Sequence, residues 1–202
     1  MEWWQYVASG VVGYLLGCFS TAYIVGMVIK KRDIRKFGSG NAGTTNILRT
    51  FGKKMGVLTF LGDVAKGVLA VYLGSLIAGE IGSYIAAVLA VVGHNWPATL
   101  GFRGGKGIAT IIGILVSIYP LEGFLLFAFC IVIVVITKYF SVASMIGCLL
   151  FPVMSLLISP GNTPRLVMFI LLAVLGIFSH RENIKRILNG TENKVDFSKL
   201  KP

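Results

Sequence analysis

Acidic residues are scarce in this chain: Asp and Glu together number 8, against 19 Lys and Arg. The polar stretches therefore lack the aspartate set that would hold a divalent cation for phosphotransfer chemistry on nucleotide-linked lipids. Cysteine (3) and histidine (2) are rarer still. Cys18, Cys130 and Cys148 all sit in apolar segments with no metal-ligand spacing, which argues against both a zinc motif and a disulfide framework. Neither a metal nor a cofactor is expected. Charge as a whole is thin. Charged residues make up 13% of the chain, about half the share usual in a soluble domain.

What is present instead is apolar. Hydrophobic residues reach 55% and the mean hydropathy is +0.82. A length of 202 residues permits one domain, expected over residues 1–202. A water-soluble core of that size could not hide so much apolar surface. The solvent is then a bilayer. Lipid cannot satisfy open backbone groups, so the expected fold class is all-α, a polytopic membrane helical bundle. The formal charge of +11 and the pI near 9.8 fit cytoplasmic loops, anionic lipid and anionic substrates better than nucleic acid.

Apolar segments run over Gln5–Ile29, Met55–Ala78, Tyr84–Leu100, Ile108–Tyr119, Gly123–Thr137, Val142–Ser159 and Leu166–Ser179. That is about seven transmembrane helices, some shorter than a full span, with about five as the conservative count. Ile108–Tyr119 reads as a half-helix or re-entrant segment. The first segment is too long for a signal peptide, and no basic residue precedes it. With the N-terminus outside and the C-terminus cytoplasmic, every basic residue falls on the inner side except Arg165, outside, and Lys66, within a span. After Ser179 the pattern suggests a short amphipathic helix with Ile184, Ile187 and Leu188 on one side, stopped at Gly190 and lying along the inner membrane face.

Polar clusters interrupt this pattern, all on the inner side. The first, Lys36–Thr50, holds Gly38, Ser39, Gly40, Asn41, Thr44, Asn46 and Arg49. Glycines let backbone N–H groups approach a ligand, and successive N–H groups form an anion nest. Arg49 adds a fork suited to phosphate oxygens. A flexible polar loop is the other reading of this stretch. The second cluster, Gly93–Thr110, sets Lys106 among Gly104, Gly105 and Gly107, just before a helix expected from Ile108. A helix N-terminus attracts anions and the lysine supplies a point charge. The pattern is not a nucleotide-binding P-loop: Leu100 stands where that motif needs Gly, and Gly107 where it needs Ser or Thr. His94 and Thr110 flank this cluster, His94 with a packing role as the alternative.

The third cluster, Ser179–Glu192, puts His180 and Asn183 three apart on one helix face. Ser141, after Lys138, shares the inner side. Asp63 and Lys66 are also three apart, but inside a span. Buried charges there are expensive, and the pair reads as mutually neutralising, with a relay as the alternative.

Gly38–Asn46, then Gly93–Pro97 running into Phe102–Thr110, then Ser179–Ile184 resemble the signature motifs of the bacterial acyl-phosphate:glycerol-3-phosphate acyltransferases, in the same order and over the whole chain. The resemblance implies transfer of a fatty acyl group from acyl phosphate to the 1-hydroxyl of sn-glycerol 3-phosphate. The products would be 1-acylglycerol 3-phosphate (lysophosphatidic acid) and inorganic phosphate, with neither acyl-CoA nor acyl carrier protein as direct donor. It implies a multi-pass protein of the bacterial inner membrane with its site on the cytoplasmic side. Its partners would be those two substrates, membrane lipid, and the enzymes that make acyl phosphate and perform the next acylation.

An acyl phosphate is already activated, so positioning and charge stabilisation are what the protein must add. On this resemblance Lys106, His180 and Asn183 are the catalytic candidates. Ser39, Arg49, Lys106 and Ser141 hold phosphate, and Gly104, Gly105 and Gly107 offer backbone donors. The base is either His180 or a substrate phosphate oxygen. Another acyltransferase family uses His-x-x-x-x-Asp, which neither histidine matches: Thr99 follows His94 and Lys185 follows His180 at that distance. A carrier for organic phosphates would also use basic, glycine-broken helices, but here the polar motifs gather on one side instead of marking a path across the midplane.

Overall fold

The computed structural model describes residues 1–195, and among these it is helical with no strand. The chain forms two compact units, Met1–Ile118 and a second that begins at Tyr119. Lys199 and Lys201, placed above among the inner basic residues, lie outside the described residues.

The first unit opens with α1 (Trp3–Cys18) and α2 (Thr21–Lys30). The sequence suggests one continuous span here. The chain instead turns extended at Phe19 and Ser20, and the Ser20 hydroxyl caps α2 by accepting from the Tyr23 N–H at 3.3 Å. A short 3-10 turn, Ile34–Lys36, leads to α3 (Thr44–Phe51) and α4 (Lys53–Asn95).

Helix α4 is broken at Ala78 (φ −142°) and Gly79 (φ 61°, ψ −151°). The break reverses the chain. Lys66 Nζ lies 2.7 Å from His94 Nδ1, whereas a straight helix would hold residues so spaced about 42 Å apart. The arms 53–77 and 80–95 are therefore antiparallel, and the outer loop expected at 79–83 shrinks to a turn at one glycine. The second arm ends at Asn95, short of the expected Leu100. Pro97 has no N–H to continue a helix and disfavours helical backbone before it. A 3-10 turn, Ala98–Leu100, and a loop then reach α5 (Ile108–Ile118).

Small residues let these helices touch through their backbones. A Cβ on Gly13 would strike the Ala86 carbonyl, and one on Gly17 the Ala90 carbonyl, so α1 lies directly on the second arm of α4. Gly67 and Gly113 bring the first arm against α5 in the same way, at the carbonyls of Thr110 and Val64. Between apolar helices in lipid, such close van der Waals packing is the main attraction, because burying apolar surface gains little.

The second unit contains α6 (Pro120–Thr137), α7 (Phe140–Ile158), α8 (Thr163–Ser179) and α9 (Arg181–Leu188). Its interior is built on Met168, Phe169 and Leu172 of α8, with the Tyr119 ring stacked on Phe169 at 5.7 Å and Phe151 tilted against it at 6.3 Å. Helix α6 exposes Phe124, Leu125, Val132 and Ile136, an exterior that suits lipid and not water. Trp3–Lys30, Lys53–Leu100, Pro120–Thr137 and Phe140–Ile158 are long and apolar enough to cross a bilayer, and α8 and α9 make a further pair bent by 52°. This is a multi-pass membrane architecture. The apolar segments read from the sequence fall on helices, with Gln5–Ile29 divided between α1 and α2 and Tyr84–Leu100 helical only to Asn95. At 11 residues α5 is an apolar helix too short for a full span.

Candidate active site

In the first unit the glycine-rich loop is assembled around Asn46. Its Oδ1 accepts from the Ser39 N–H at 3.0 Å, and its Nδ2 donates to the carbonyls of Asn41 (2.9 Å), Phe37 (3.0 Å) and Ile34 (3.3 Å). Asn46 is buried, so its amide builds the loop from beneath while Ser39 stands exposed above it. Gly38 and Gly40 take positive φ (58° and 73°), and a Cβ on Gly38 would run into the Asn46 amide oxygen. The loop ends at Gly43, whose carbonyl receives the N–H groups of Asn46 and Ile47 as α3 begins. Asn41 and Thr44 are half-buried, and Arg49 is exposed on the last turn of α3.

The Ala42 N–H donates to the Gly104 carbonyl at 3.2 Å, tying this loop to the second cluster. A second tie runs from Arg35, which donates to the Leu100 carbonyl at 2.7 Å while Asp33 grips the rest of its guanidinium. Hydrogen bonding from Arg35 holds the Asp33 carboxyl below its ordinary pKa, so the pair stays charged.

The loop through Arg103–Gly107 rests on the end of α4. The Gly104 N–H donates to the Asn95 carbonyl at 3.1 Å and the Gly105 N–H to the His94 carbonyl at 3.0 Å. The amides expected to be ligand donors at Gly104 and Gly105 are thus taken up within the chain. These glycines supply close approach instead: a Cβ on Gly104 would strike the His94 carbonyl, and one on Gly105 the His94 Nε2. Gly107 (φ 80°) packs against Val91 and the Asn95 side chain. Lys106 is half-buried on this loop, immediately before α5, and Thr110 is buried in the first turn of that helix.

His94 itself is buried and faces inward. Its Nδ1 lies 2.7 Å from Lys66 Nζ and 3.7 Å from Asp63 Oδ1. Lys66 Nζ is 3.0 Å from Asp63 Oδ1 and donates to the carbonyls of Phe19 (2.8 Å) and Gly17 (3.2 Å), where α1 ends. The Thr21 hydroxyl completes the group, 3.2 Å from Asp63 Oδ1. The expected ion pair is present, extended by a histidine on the other arm of the hairpin.

The second unit gathers the remaining candidates. His180 joins α8 to α9 and is buried, with Nδ1 2.8 Å from the Gly176 carbonyl. A carbonyl only accepts, so Nδ1 carries the hydrogen. Asn183, one turn on, donates to Glu192 Oε1 at 2.6 Å. Ser141 donates to the same oxygen at 2.8 Å, and Arg186 Nε reaches Oε2 at 2.8 Å. Burial pushes the Glu192 carboxyl up, but hydrogen bonds from Asn183, Arg186 and Ser141 outweigh it and hold it below its ordinary value.

Glu192 was given no role from the sequence, yet it joins Ser141 to Asn183. The signal that could have found it is Asn189-Gly190: Gly190 takes φ 69° and turns the chain, and the Thr191 N–H returns to the Arg186 carbonyl at 2.8 Å. Among the described residues no group of three or more His, Cys, Asp or Glu is disposed to hold a metal ion.

A family model described as glycerol-3-phosphate acyltransferase matches residues 7–190. The chain is 46% identical over 201 residues to a glycerol-3-phosphate acyltransferase of Clostridioides difficile (strain 630), covering 96% of this chain and 98% of that one. It is 44% identical over 190 residues to one from Thermoanaerobacter pseudethanolicus, covering 94% and 95%. Among solved structures it is similar to PlsY (YgiH), an integral membrane glycerol 3-phosphate acyltransferase. The glycerol 3-phosphate form superimposes with a TM-score of 0.88 at 32% identity over 96% of both chains. The lysophosphatidic acid form gives 0.87 at 30% identity, over 96% of this chain and 97% of that one.

Proposed function

Since the chain belongs to the glycerol-3-phosphate acyltransferase family, we propose that it transfers a fatty acyl group from acyl phosphate to the 1-hydroxyl of sn-glycerol 3-phosphate, releasing lysophosphatidic acid and inorganic phosphate. Residues 1–202 act as one catalytic domain in the bacterial inner membrane. The basic residues at the helix ends support a site on the cytoplasmic side.

The observation that carries this reading is the Ala42 to Gly104 hydrogen bond. It joins a loop bearing Ser39 to a loop bearing Lys106, with Arg49 one short helix away. Both reactants carry a phosphate, and this region offers a hydroxyl, an ammonium and a guanidinium on glycine-shaped backbone. In the reaction the 1-hydroxyl oxygen bonds to the acyl carbon. The bond from that carbon to the phosphate oxygen breaks, and the electron pair leaves on phosphate. Lys106 and Arg49 offset the charge that builds on phosphate oxygens.

Asn183 and Ser141, set by Glu192, orient the glycerol and the leaving group. The hydroxyl proton passes to His180 or to a substrate phosphate oxygen. A rate that falls on the acid side in the parent, and loses that limb in His180→Ala, identifies the histidine. The same proposal includes contact with the enzymes that make acyl phosphate and take on the lysolipid.

The deciding assay gives purified protein glycerol 3-phosphate with palmitoyl phosphate or with palmitoyl-CoA. Phosphate and lysolipid appear with the first donor only. Product from the CoA ester alone overturns the proposed donor.

A further inference from the structure

We propose that Asp63, Lys66 and His94 form a buried positioning network that sets the geometry of the Arg103–Gly107 loop and so aims Lys106. The inference rests on the reading above in one respect, that this loop binds substrate phosphate.

Mutual neutralisation explains a carboxylate and an ammonium three residues apart. It needs no histidine and no second helix. Here the ammonium also takes backbone carbonyls at the broken end of α1 and the Nδ1 of an imidazole on the opposite arm of α4. An ammonium donates and never accepts. His94 Nδ1 is therefore the acceptor, and the neutral ring carries its hydrogen on Nε2. That Nε2 edge lies directly under Gly105, where no Cβ fits.

The backbone of the same histidine receives the Gly105 N–H at 3.0 Å. Gly105 is thus held by both the carbonyl and the ring of His94, and Lys106 is the next residue. A shift of the ring alters Gly105 before anything else. The ring is in turn placed by Lys66, and Lys66 by Asp63 and the end of α1. The chain of contacts runs from the end of α1 through Asp63, Lys66 and His94 to the loop.

The test uses the full-length protein in detergent with two variants. Asp63→Asn/Lys66→Met removes both charges together and leaves no lone buried charge. His94→Leu keeps much of the volume and removes both ring nitrogens. Thermal melts establish that they fold, hydrogen exchange reads the Gly104 and Gly105 amides, and kinetics read each substrate. Both variants are expected to melt as folded proteins. Exchange at the two loop amides rises while the amides of α1 and α5 stay protected. KM for glycerol 3-phosphate rises on the order of tenfold, with a smaller change in kcat.

Unchanged loop exchange in folded variants overturns the inference, as does faster exchange with the parent KM. Failure of both variants to fold also overturns it, since the network is then a fold element only. If the parent itself neither binds glycerol 3-phosphate nor releases phosphate, the proposed function fails, while the exchange data still decide whether the network sets the loop.

Discussion

Asn183 Nδ2 lies 2.6 Å from Glu192 Oε1, an oxygen that Ser141 shares. One carboxylate thereby fixes side chains from α7 and α9, and Arg186 compensates its charge. Replacing it removes the acceptor that these two buried donors share. Glu192→Ala is expected to lower stability by about 2–4 kcal/mol and to reduce turnover. Chemical denaturation of the detergent-solubilised protein measures the first. A variant within about 0.5 kcal/mol of the parent removes Glu192 from this role.

The same carboxylate predicts an acid limit. Its pKa is lower folded than unfolded, so its stabilisation is complete above the ordinary carboxylate range and is lost as pH falls through the folded value. Melting temperature should decline on the acid side in the parent. The decline should be shallower in Glu192→Gln, which cannot titrate. Parallel pH curves for the two proteins would contradict this.

Asn46→Leu keeps the volume of the side chain and deletes its amide. The Ser39 N–H and the carbonyls of Ile34, Phe37 and Asn41 each lose their link to it. Stability should fall by about 2–3 kcal/mol, and KM for glycerol 3-phosphate should rise. A variant with parent-like KM would show that the Ser39 loop takes no part in binding.

Two glycines of one loop should respond differently. At Gly105 a methyl group would occupy the place of the His94 Nε2, whereas at Gly101 (φ 63°) nothing lies within 4 Å of an added Cβ. Gly101→Ala meets only the left-handed backbone penalty, about 1–2 kcal/mol, and keeps its substrate affinity. Gly105→Ala weakens binding of glycerol 3-phosphate. Equal effects of the two on KM would mean that the His94 ring exerts no control.

Lys106→Met removes the ammonium and keeps the length of the stem. A loss in kcat/KM on the order of 100-fold or more is expected, with the melting temperature nearly unchanged. Near-normal kinetics would exclude the lysine from the chemistry.

How much of this was legible depends on range. The glycine-rich stretches announced themselves by composition, because Gly38–Asn46 holds no large apolar side chain in a chain that is otherwise apolar. Asp63 and Lys66 were legible as a pair because one helical turn separates them. His94 was not legible as their partner, since that contact exists only because Gly79 reverses a helix. Glu192 was hidden for a similar reason: a turn at Gly190 decides what it meets. Asn46 illustrates a third limit. Its position in the motif points to ligand contact, while its burial makes it the support on which Ser39 sits. Residue type and spacing report local chemistry. They do not report which side of a loop is the underside.

The hairpin within α4 also bears on how the protein is made. Ribosomal synthesis releases Gly13 and Gly17 first, and the alanines that receive them arrive only once the second arm emerges. Lys66 is added to the growing chain before His94. Asp63, Gly17 and Phe19 all precede it in the chain, so three of its four partners are already made when the ammonium is added.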